Sequence, residues 1–598
     1  MNLWLVVFSL LICVHQPAGA LVDAGSAERM ISLHFFPGVV HPGSEFRAVL
    51  VSEDKLDVDE LKVEAQGPGG RKIRLILRKS GGGPPFWFWW EGKAPVAGNY
   101  RVDVYFRKKL IFSEEFKTGE RDYLKGETGV FWKAESDWNR KMEDLYSAWL
   151  EALFQEAGEK DSWPDLDSVL KKKEWNFLYN HLGQDEDQQL KLEPDCADNP
   201  FFLRAYFAWK MRLPFGFHEC SRGSLDRPPA PGRWFHNELP TSAGPEASRF
   251  ARLMRQVMNV VHSGTGRTAL TEESSDYYPL PLAREWLRPG TVYADPYGHT
   301  LVIVRWEPQK RNRPGILLAV DAQPDGTIGL KRFWKGNFLF ATEEVVGHPG
   351  FKAFRPVVRA SGRLRLMSNR EIMESQDYGN YSLEQLKLKP EVFYEKMDRL
   401  INPHPLDPET VLKELYQALY EQLLVRVEAV ENAEKYFREH PGKIIPMPEG
   451  AAVFLTTGPW EDYSTPNRDL RLLIAFDTIE EFPERVARDP EKYGISVSES
   501  PEKIKARLEK ISVGLGRGLS ISYRRSDGSL KTLTLEEVLR RKEAFEMAYN
   551  PNDCPEIRWG APPGSEEMST CSRQAPSWQR ERMEKLRPWF RKRLHPPT

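Results

Sequence analysis

Three residues of the sequence have the side chains and the order along the chain that suit nucleophilic catalysis, namely Cys196, His299 and Asp321. A thiolate can attack a carbonyl carbon, an imidazole can transfer protons, and a polar third residue can orient the imidazole. Cys196 precedes the apolar run Phe201–Trp209, which predicts a buried helix, and Pro200 is tolerated only in a helix's first turn. The helix should therefore begin close to Cys196, where unpaired amides and the helix dipole favour a thiolate.

The segments that hold the other two residues read as β-strands. The sequence predicts a strand, a tight turn and a second strand between Arg288 and Val304, with His299 opening the second strand. A third strand is expected from Ile316 to Asp321, and Gln323 follows its end. A cysteine at a helix start, a later histidine that opens a strand, and a polar residue at the end of the next strand form the order of a Cys-His-polar triad.

Three short motifs resemble those of the NlpC-like branch of papain-fold hydrolases, which are cell-wall peptide endopeptidases. They are Asp195-Cys196, the strand Gly290-Thr291-Val292 that leads to His299-Thr300-Leu301-Val302-Ile303, and Val320-Asp321. The resemblance covers about residues 190–330. It departs from the family where Ala197-Asp198 replaces Ser-Gly after the cysteine, and where the interval between the cysteine and the histidine is longer than usual.

The resemblance implies a papain-like α+β domain over about residues 135–360 and a hydrolase that needs no cofactor. Its substrates would be peptides, chiefly peptidoglycan peptides. Cys196 would attack an amide carbonyl, His299 would protonate the leaving amine, and Asp321 would orient the imidazole, with Gln323 as the alternative third member. We expect further substrate contacts from Asp195, Arg222 and Gln323. Two more arginines, Arg227 and Arg233, share a Pro- and Gly-rich loop expected over residues 221–245, where they could meet a carboxylate.

Two other functions fit the same residues. One is a cell-envelope binding or scaffold protein that keeps a papain-type fold without activity, and the other is a transglutaminase-like acyl transferase. A disulfide between Cys196 and Cys220 would exclude any role for Cys196 as a nucleophile.

The first residues of the chain predict export. The apolar run Asn2–Val14 and the small residues Ala18-Gly19-Ala20 are typical of a signal peptide that is cleaved after about Ala20. The exported chain, periplasmic or extracellular, would meet an oxidising compartment, where we expect Cys554 and Cys571 to form a disulfide. No later run approaches the roughly 18 apolar residues of a membrane span.

The length of the chain, 598 residues, is too great for a single hydrophobic core and predicts a multidomain α+β protein. Seven short β-type runs between residues 30 and 118 favour an immunoglobulin-like β-sandwich. Within it, Trp87, Trp89 and Trp90 are either core residues or a ligand platform. A net charge of −2 offers no electrostatic argument for a nucleic-acid partner.

The region from 385 to 598 is expected to be mainly helical with a small sheet. Its apolar pattern predicts a long helix over Pro408–Phe437 and two strands, Ala451–Thr457 and Asp469–Asp477. The tail from Gln579 to Leu594 is basic and amphipathic, so it could contact an anionic cell-envelope surface.

Overall fold

The computed structural model describes residues 30–119, 129–156, 162–223, 227–311, 313–323, 326–342, 347–454 and 458–596. The predicted signal peptide lies outside these residues. The chain is a mixed α+β protein whose sheets are antiparallel, and it forms two compact units. The first unit contains the described residues up to 119 together with His181–Gly183, and the second contains the other described residues.

The first unit consists of two four-stranded antiparallel sheets. Their strand orders are β1-β2-β6-β5 and β4-β3-β7-β8, where the strands are β1 (Ile31–Phe36), β2 (Glu45–Ser52), β3 (Leu61–Gly67), β4 (Arg71–Ile73), β5 (Ile76–Gly82), β6 (Phe86–Lys93), β7 (Asn99–Phe106) and β8 (Lys109–Lys117). Residues of both sheets, such as Leu50 and Val102, share one hydrophobic core. Trp87, Trp89 and Trp90 are all buried, which makes them packing residues and excludes a surface platform.

The second unit is organised around a seven-stranded antiparallel sheet with the order β12-β17-β13-β14-β15-β16-β9. The strands of this unit are β9 (Ser162–Trp163), β10 (Gly216–Cys220), β11 (Pro231–His236), β12 (Tyr277–Pro279), β13 (Val292–Ala294), β14 (Thr300–Glu307), β15 (Ile316–Ala322), β16 (Ile328–Arg332), β17 (Gly350–Phe354), β18 (Val357–Ala360), β19 (Arg363–Leu366), β20 (Ser520–Arg524) and β21 (Leu530–Thr534). The strands predicted on both sides of His299 are thus confirmed as β13 and β14.

Part of the loop expected over residues 221–245 is a strand instead. β11 pairs antiparallel with β10, and Phe235 stacks on Phe217 at a ring-centroid distance of 5.3 Å. The Pro, Gly and Arg residues of this segment are typical of a loop and gave no indication of this short hairpin. Two aromatic side chains hold the hairpin against the core.

The helices of the second unit are α1 (Arg140–Leu153), α2 (Leu166–Leu170), α3 (Asp198–Lys210), α4 (Glu246–Val260), α5 (Asn369–Glu374), α6 (Pro390–Ile401), α7 (Pro408–Glu439), α8 (Pro459–Tyr463), α9 (Pro466–Glu480), α10 (Phe482–Arg488), α11 (Pro501–Gly518), α12 (Leu535–Arg540), α13 (Lys542–Phe545), α14 (Pro555–Arg558) and α15 (Ser577–Lys592). Some of these helices, such as α1 and α3, pack against β14 of the sheet, and the later helices build the C-terminal region. Every residue of α3 is buried, which confirms the predicted buried helix. α7 likewise confirms the predicted long helix.

The two strands expected at Ala451–Thr457 and Asp469–Asp477 were wrong. The chain forms a 3-10 turn over Gly450–Phe454, and Asp469 lies inside α9. Short apolar runs do not distinguish a buried strand from a buried helix, and Pro466 occupies the first turn of α9, where proline is favoured. The small sheet of this region is the hairpin of β20 and β21.

The C-terminal region contains the expected disulfide, which joins Cys554 and Cys571. In the part of the chain that the structure describes, these two residues and Glu556 are the one group of side chains that could hold a metal ion. Because both sulfurs are already bonded to each other, the group offers no metal site. Among the described helices, none combines the length and the apolar character that crossing a membrane requires.

The basic residues of α15 and the segment after it form ion pairs within the second unit. Arg580 pairs with Asp553, Arg587 and Arg591 pair with Glu546, and Arg593 pairs with Asp477. These pairs neutralise much of the positive charge that the sequence shows in the tail.

Candidate active site

Cys196 lies two residues before α3, in the turn that leads into the helix, and the side chain of Asp195 holds that turn. The Oδ1 atom of Asp195 accepts hydrogen bonds from the backbone amides of Ala197, at 2.8 Å, and Asp198, at 3.0 Å. Asp195, expected to contact substrate, therefore uses its carboxylate to satisfy amides at the helix start. The backbone amide of Cys196 donates no hydrogen bond to any described residue.

The sulfur of Cys196 lies against the backbone on both sides of His299. Its Sγ atom is 3.7 Å from the carbonyl oxygen of Gly298, and the amide of Thr300 also interacts with it. Cys196 is partly exposed, and both Cys196 and Cys220 are free thiols, so the competing disulfide is not formed. Within the described chain, no hydrogen bond joins Sγ to a ring nitrogen of His299.

The imidazole of His299 is held by Asp321. Nε2 of the ring is hydrogen-bonded to Oδ2 of Asp321, and the same oxygen accepts a 2.7 Å hydrogen bond from the side-chain amide of Gln323. The structure thus brings together three of the predicted site residues, and Gln323 supports the aspartate instead of replacing it. Since Nε2 is engaged, Nδ1 is the ring nitrogen left for a thiol.

Asp321 is fully buried at the end of β15, opposite Gly329 of β16. A Cβ atom at residue 329 would lie 2.9 Å from Oδ1 of Asp321, so any larger residue here would displace this carboxylate. Burial by itself would raise the pKa of Asp321, but the positive charge of Lys331 and the hydrogen bond with His299 hold the pKa far below its usual value. The carboxylate is therefore ionised and available to stabilise an imidazolium.

The thiol of Cys196 is in its neutral form in this arrangement. Burial raises the pKa of Cys196 well above its usual value, and the charges of Asp195 and Asp321 raise it further. This corrects the expectation that the helix start favours a thiolate, because Asp195 occupies the nearby amides and adds negative charge beside the sulfur. The S–H group donates its weak hydrogen bond to Gly298.

A second histidine near the site is not available as a base. Burial lowers the pKa of His262, whose Nε2 is hydrogen-bonded to the carbonyl oxygen of Cys220 at 2.6 Å. The Nδ1 atom of His262 accepts the amide of Gly264 at 3.0 Å. Both ring nitrogens are therefore occupied, and His299 is the histidine with a nitrogen to offer.

The arginines expected to meet a substrate carboxylate differ in their positions. Arg222 is exposed, and its charge and that of Asp195 both act on Glu461 of α8. Arg233 lies over the ring of Phe235, with its guanidinium carbon 4.3 Å from the ring centroid. Arg227 is exposed after the undescribed residues 224–226. Of the three arginines, Arg222 is the one whose charge acts on the same residue, Glu461, as the charge of Asp195, which directly precedes Cys196.

The predicted tight turn before His299 is present, and it contains Asp295, which the sequence did not indicate as a site residue. The amide of Asp295 donates to the carbonyl of His299 at 2.8 Å, and Oδ1 of Asp295 accepts the amide of Tyr297 at 2.7 Å. Gly298 has a φ of +95°, a conformation that favours glycine. Oδ2 of Asp295 accepts a 2.8 Å hydrogen bond from Arg471 of α9. An Asp-Pro pair followed by Gly is a turn signal, but nothing in the sequence indicates its partner arginine.

Comparisons with known proteins provide little guidance. No model of a protein family matches the chain, and no curated protein matches it. Among solved structures, the crystal structure of the Lin-41 filamin domain matches 16% of this chain and 100% of that domain, at 10% sequence identity and a TM-score of 0.13. A similarity this weak says nothing about what either unit does.

Proposed function

We propose that the second unit is a cysteine hydrolase that cleaves amide bonds through Cys196, His299 and Asp321. The observation that carries this proposal is the position of the Cys196 sulfur, which contacts the backbone on both sides of His299 while Asp321 holds Nε2 of the imidazole. Asp321 thereby orients the ring, and Nδ1 has no hydrogen bond to any described residue.

The reaction begins with the neutral thiol. The side chain of Cys196 turns from the carbonyl of Gly298 toward His299, whose Nδ1 takes the proton from sulfur as the sulfur–carbon bond to the substrate carbonyl forms. Asp321 stabilises the resulting imidazolium. The imidazolium then returns the proton to the leaving amine as the carbon–nitrogen bond breaks, and water hydrolyses the thioester.

The amide of Cys196 supplies a donor for the negative oxygen of the tetrahedral intermediate. It has no partner among the described residues, and it lies next to the reacting sulfur. The amides of Ala197 and Asp198 are already bound by Asp195, so they do not serve in this role. A preorganised donor of this kind lowers the barrier because its hydrogen bond to the oxygen becomes stronger as negative charge develops there in the transition state.

The fold and the location belong to the same proposal. A buried helix behind the cysteine, followed by antiparallel strands with the histidine and the aspartate, supports a papain-like domain of NlpC type. Two four-stranded sheets with a shared core support an immunoglobulin-like first unit. Three further points stay predictions from the sequence. They are export of the chain, peptidoglycan peptides as its substrate, and contact of the basic tail with an anionic envelope surface.

A binding protein without activity is the second candidate. It is favoured by the raised pKa of the Cys196 thiol and by the hydrogen bond from the sulfur to Gly298. Both features stabilise the neutral thiol, whereas an activated nucleophile would be a thiolate. Acyl transfer to an amine is the third, and it differs from hydrolysis only in the acceptor of the acyl group.

Reaction with p-nitrophenyl acetate tests the proposal without knowledge of the natural substrate. The expected result is a burst of nitrophenol and an acetyl thioester on Cys196, found by mass spectrometry, that is lost in Cys196→Ala and falls by about 10²-fold or more in His299→Ala. Equal acetylation of wild type and His299→Ala would favour the binding protein. Peptidoglycan peptides, offered with and without added amines, then distinguish hydrolysis from transfer.

Alkylation by iodoacetamide provides a measurement independent of acyl chemistry. At about pH 6 an unassisted thiol reacts slowly, so a rate for Cys196 that drops about tenfold in His299→Ala indicates proton transfer to the imidazole. Cys220 is the internal control, because it is buried and its pKa is raised to about 12.

A further inference from the structure

The turn Asp295–His299 controls the geometry of the candidate site. It supplies the carbonyl of Gly298 that contacts the Cys196 sulfur, and it ends at the imidazole that must take the proton. A displacement of about 1 Å between a base and its proton donor costs about 10²-fold in rate. Whatever holds this turn therefore affects the reaction.

Arg471 of α9 holds the first residue of the turn. Its guanidinium donates to Oδ2 of Asp295 at 2.8 Å and to the carbonyl of Asn337 at 3.2 Å. Asp295 is fully buried, so its carboxylate requires a compensating cation. A further arginine, Arg267, donates to the carbonyl of Pro296, the next residue of the turn, at 3.0 Å.

The end of the chain holds the middle of the turn. The ring of His595 stacks on Tyr297 at a centroid distance of 3.9 Å and an interplanar angle of 15°, and it lies 4.1 Å from the ring of Phe454. Arg593, which pairs with Asp477 of α9, ends α15 in the left-handed conformation with a φ of +59°. The segment after α15 is thus anchored two residues before the stacked ring.

We infer that Arg471 and His595 are positioning residues for the proposed reaction, and that the C-terminal helical region therefore completes the active site. The inference rests on the proposed function of Cys196 and His299. Arg471 fixes the turn by charge, and His595 fixes it by ring stacking. The two contacts come from different elements of the C-terminal region and meet on adjacent parts of one five-residue turn.

His595 acts as a neutral aromatic ring. Burial lowers its pKa far below the usual value for histidine, and the charges of Arg471 and Arg267 lower it further. A neutral ring stacks on tyrosine without bringing another positive charge next to the two arginines. Phenylalanine has a similar flat ring and no charge, so it should replace histidine here, whereas alanine should not.

The test measures acetylation of Cys196 by p-nitrophenyl acetate and its alkylation by iodoacetamide in the full chain. Arg471→Met and His595→Ala should each lower the acetylation rate about tenfold to 10²-fold, while thermal unfolding shows that the unit is still folded. His595→Phe should restore the rate. The matched control is Arg332→Met, because Arg332 of β16 pairs with Glu414 and Glu421 of α7 without contacting the turn.

The outcomes separate the two claims. If His299→Ala lowers the rate but Arg471→Met and His595→Ala do not, the positioning role is wrong and the proposed reaction stands. If His299→Ala reacts like the wild type, the proposed reaction itself is wrong. A faster reaction in His595→Ala would show that the tail blocks the site, which also overturns the inference. If Arg471→Met does not fold, the comparison of His595→Ala with His595→Phe decides whether the positioning role is correct.

Discussion

Asp198, two residues after Cys196, should make the protein less stable as the pH rises. Its side chain is 3% exposed, and Oδ1 has no hydrogen-bond partner in the described structure. Burial, followed by the nearby charge of Asp195, raises the pKa of Asp198 to about 8. Replacing Asp198 with asparagine keeps the shape of the side chain and removes its ionisation.

The sign follows from proton binding in the two states. Below about pH 4 the aspartate is protonated in both the folded and the unfolded chain, and its favourable contribution is fully present. Between about pH 4 and pH 8 the unfolded chain releases the proton while the folded chain retains it, so stability falls as the pH rises. The difference between a pKa of about 3.9 and one of about 8 corresponds to about 5 to 6 kcal/mol. This is an upper limit, because rotation of the side chain toward water would relieve its burial.

Thermal unfolding between about pH 4 and pH 8.5 measures the effect. A unit of several hundred residues unfolds with an entropy of roughly 1 kcal/mol/K, so Asp198→Asn should raise Tm by up to about 5 °C at the highest pH and by almost nothing at the lowest. Asp185→Asn, the same change at an exposed aspartate of the same unit, should follow the wild type throughout. A difference in Tm between wild type and Asp198→Asn that does not change with pH would refute the raised pKa of Asp198.

Three other outcomes follow from the described contacts. Asp321→Asn should lower the rate of Cys196 acetylation by about 10²- to 10⁴-fold, because the imidazole loses its anionic partner; an unchanged rate would exclude an orienting role. Reduction of the disulfide between Cys554 and Cys571, which lie 17 residues apart, should cost about 3 kcal/mol and lower Tm, and an identical Tm with reductant would contradict this. Arg426→Met should lower the free energy of unfolding by about 3–5 kcal/mol, because it leaves the fully buried carboxylate of Asp469 without its cationic partner. Adding Asp469→Leu should recover most of that loss, whereas a double variant as unstable as the single one would argue against the ion pair.

Local patterns were sufficient for the elements that carry the proposed triad. The helix behind Cys196 was predictable because its apolar run is bounded by Pro200 and polar residues, and the strands around His299 because β-branched residues flank a Gly-containing turn. One of the seven β-type runs expected between residues 30 and 118 covers Lys72–Arg78, and it shows what local patterns cannot predict. It divides into β4 and β5, which belong to different sheets, and no local pattern distinguishes this from one continuous strand.

Contacts between the site and the C-terminal region could not be predicted. Arg471 and Asp295 are 176 residues apart, and the segment of Arg471 was expected to be a strand. A strand would have placed alternate residues on opposite faces, whereas α9 buries Leu470 and Leu473 at helical spacing and leaves Arg471 partly exposed toward Asp295.

The charges around Cys196 explain why the position of the turn should matter so much. Burial raises the pKa of the Cys196 thiol, and the carboxylates of Asp195 and Asp321 raise it further, so an isolated thiolate is unfavourable there. A thiolate can form only if its proton passes to a neighbour that becomes positive, and His299 is the neighbour with an unused ring nitrogen. In a site with a preformed ion pair, a small shift of the turn would weaken an existing attraction. Here the same shift moves the proposed acceptor, His299, away from the proton of the thiol, so the C-terminal contacts of the turn bear directly on the chemical step.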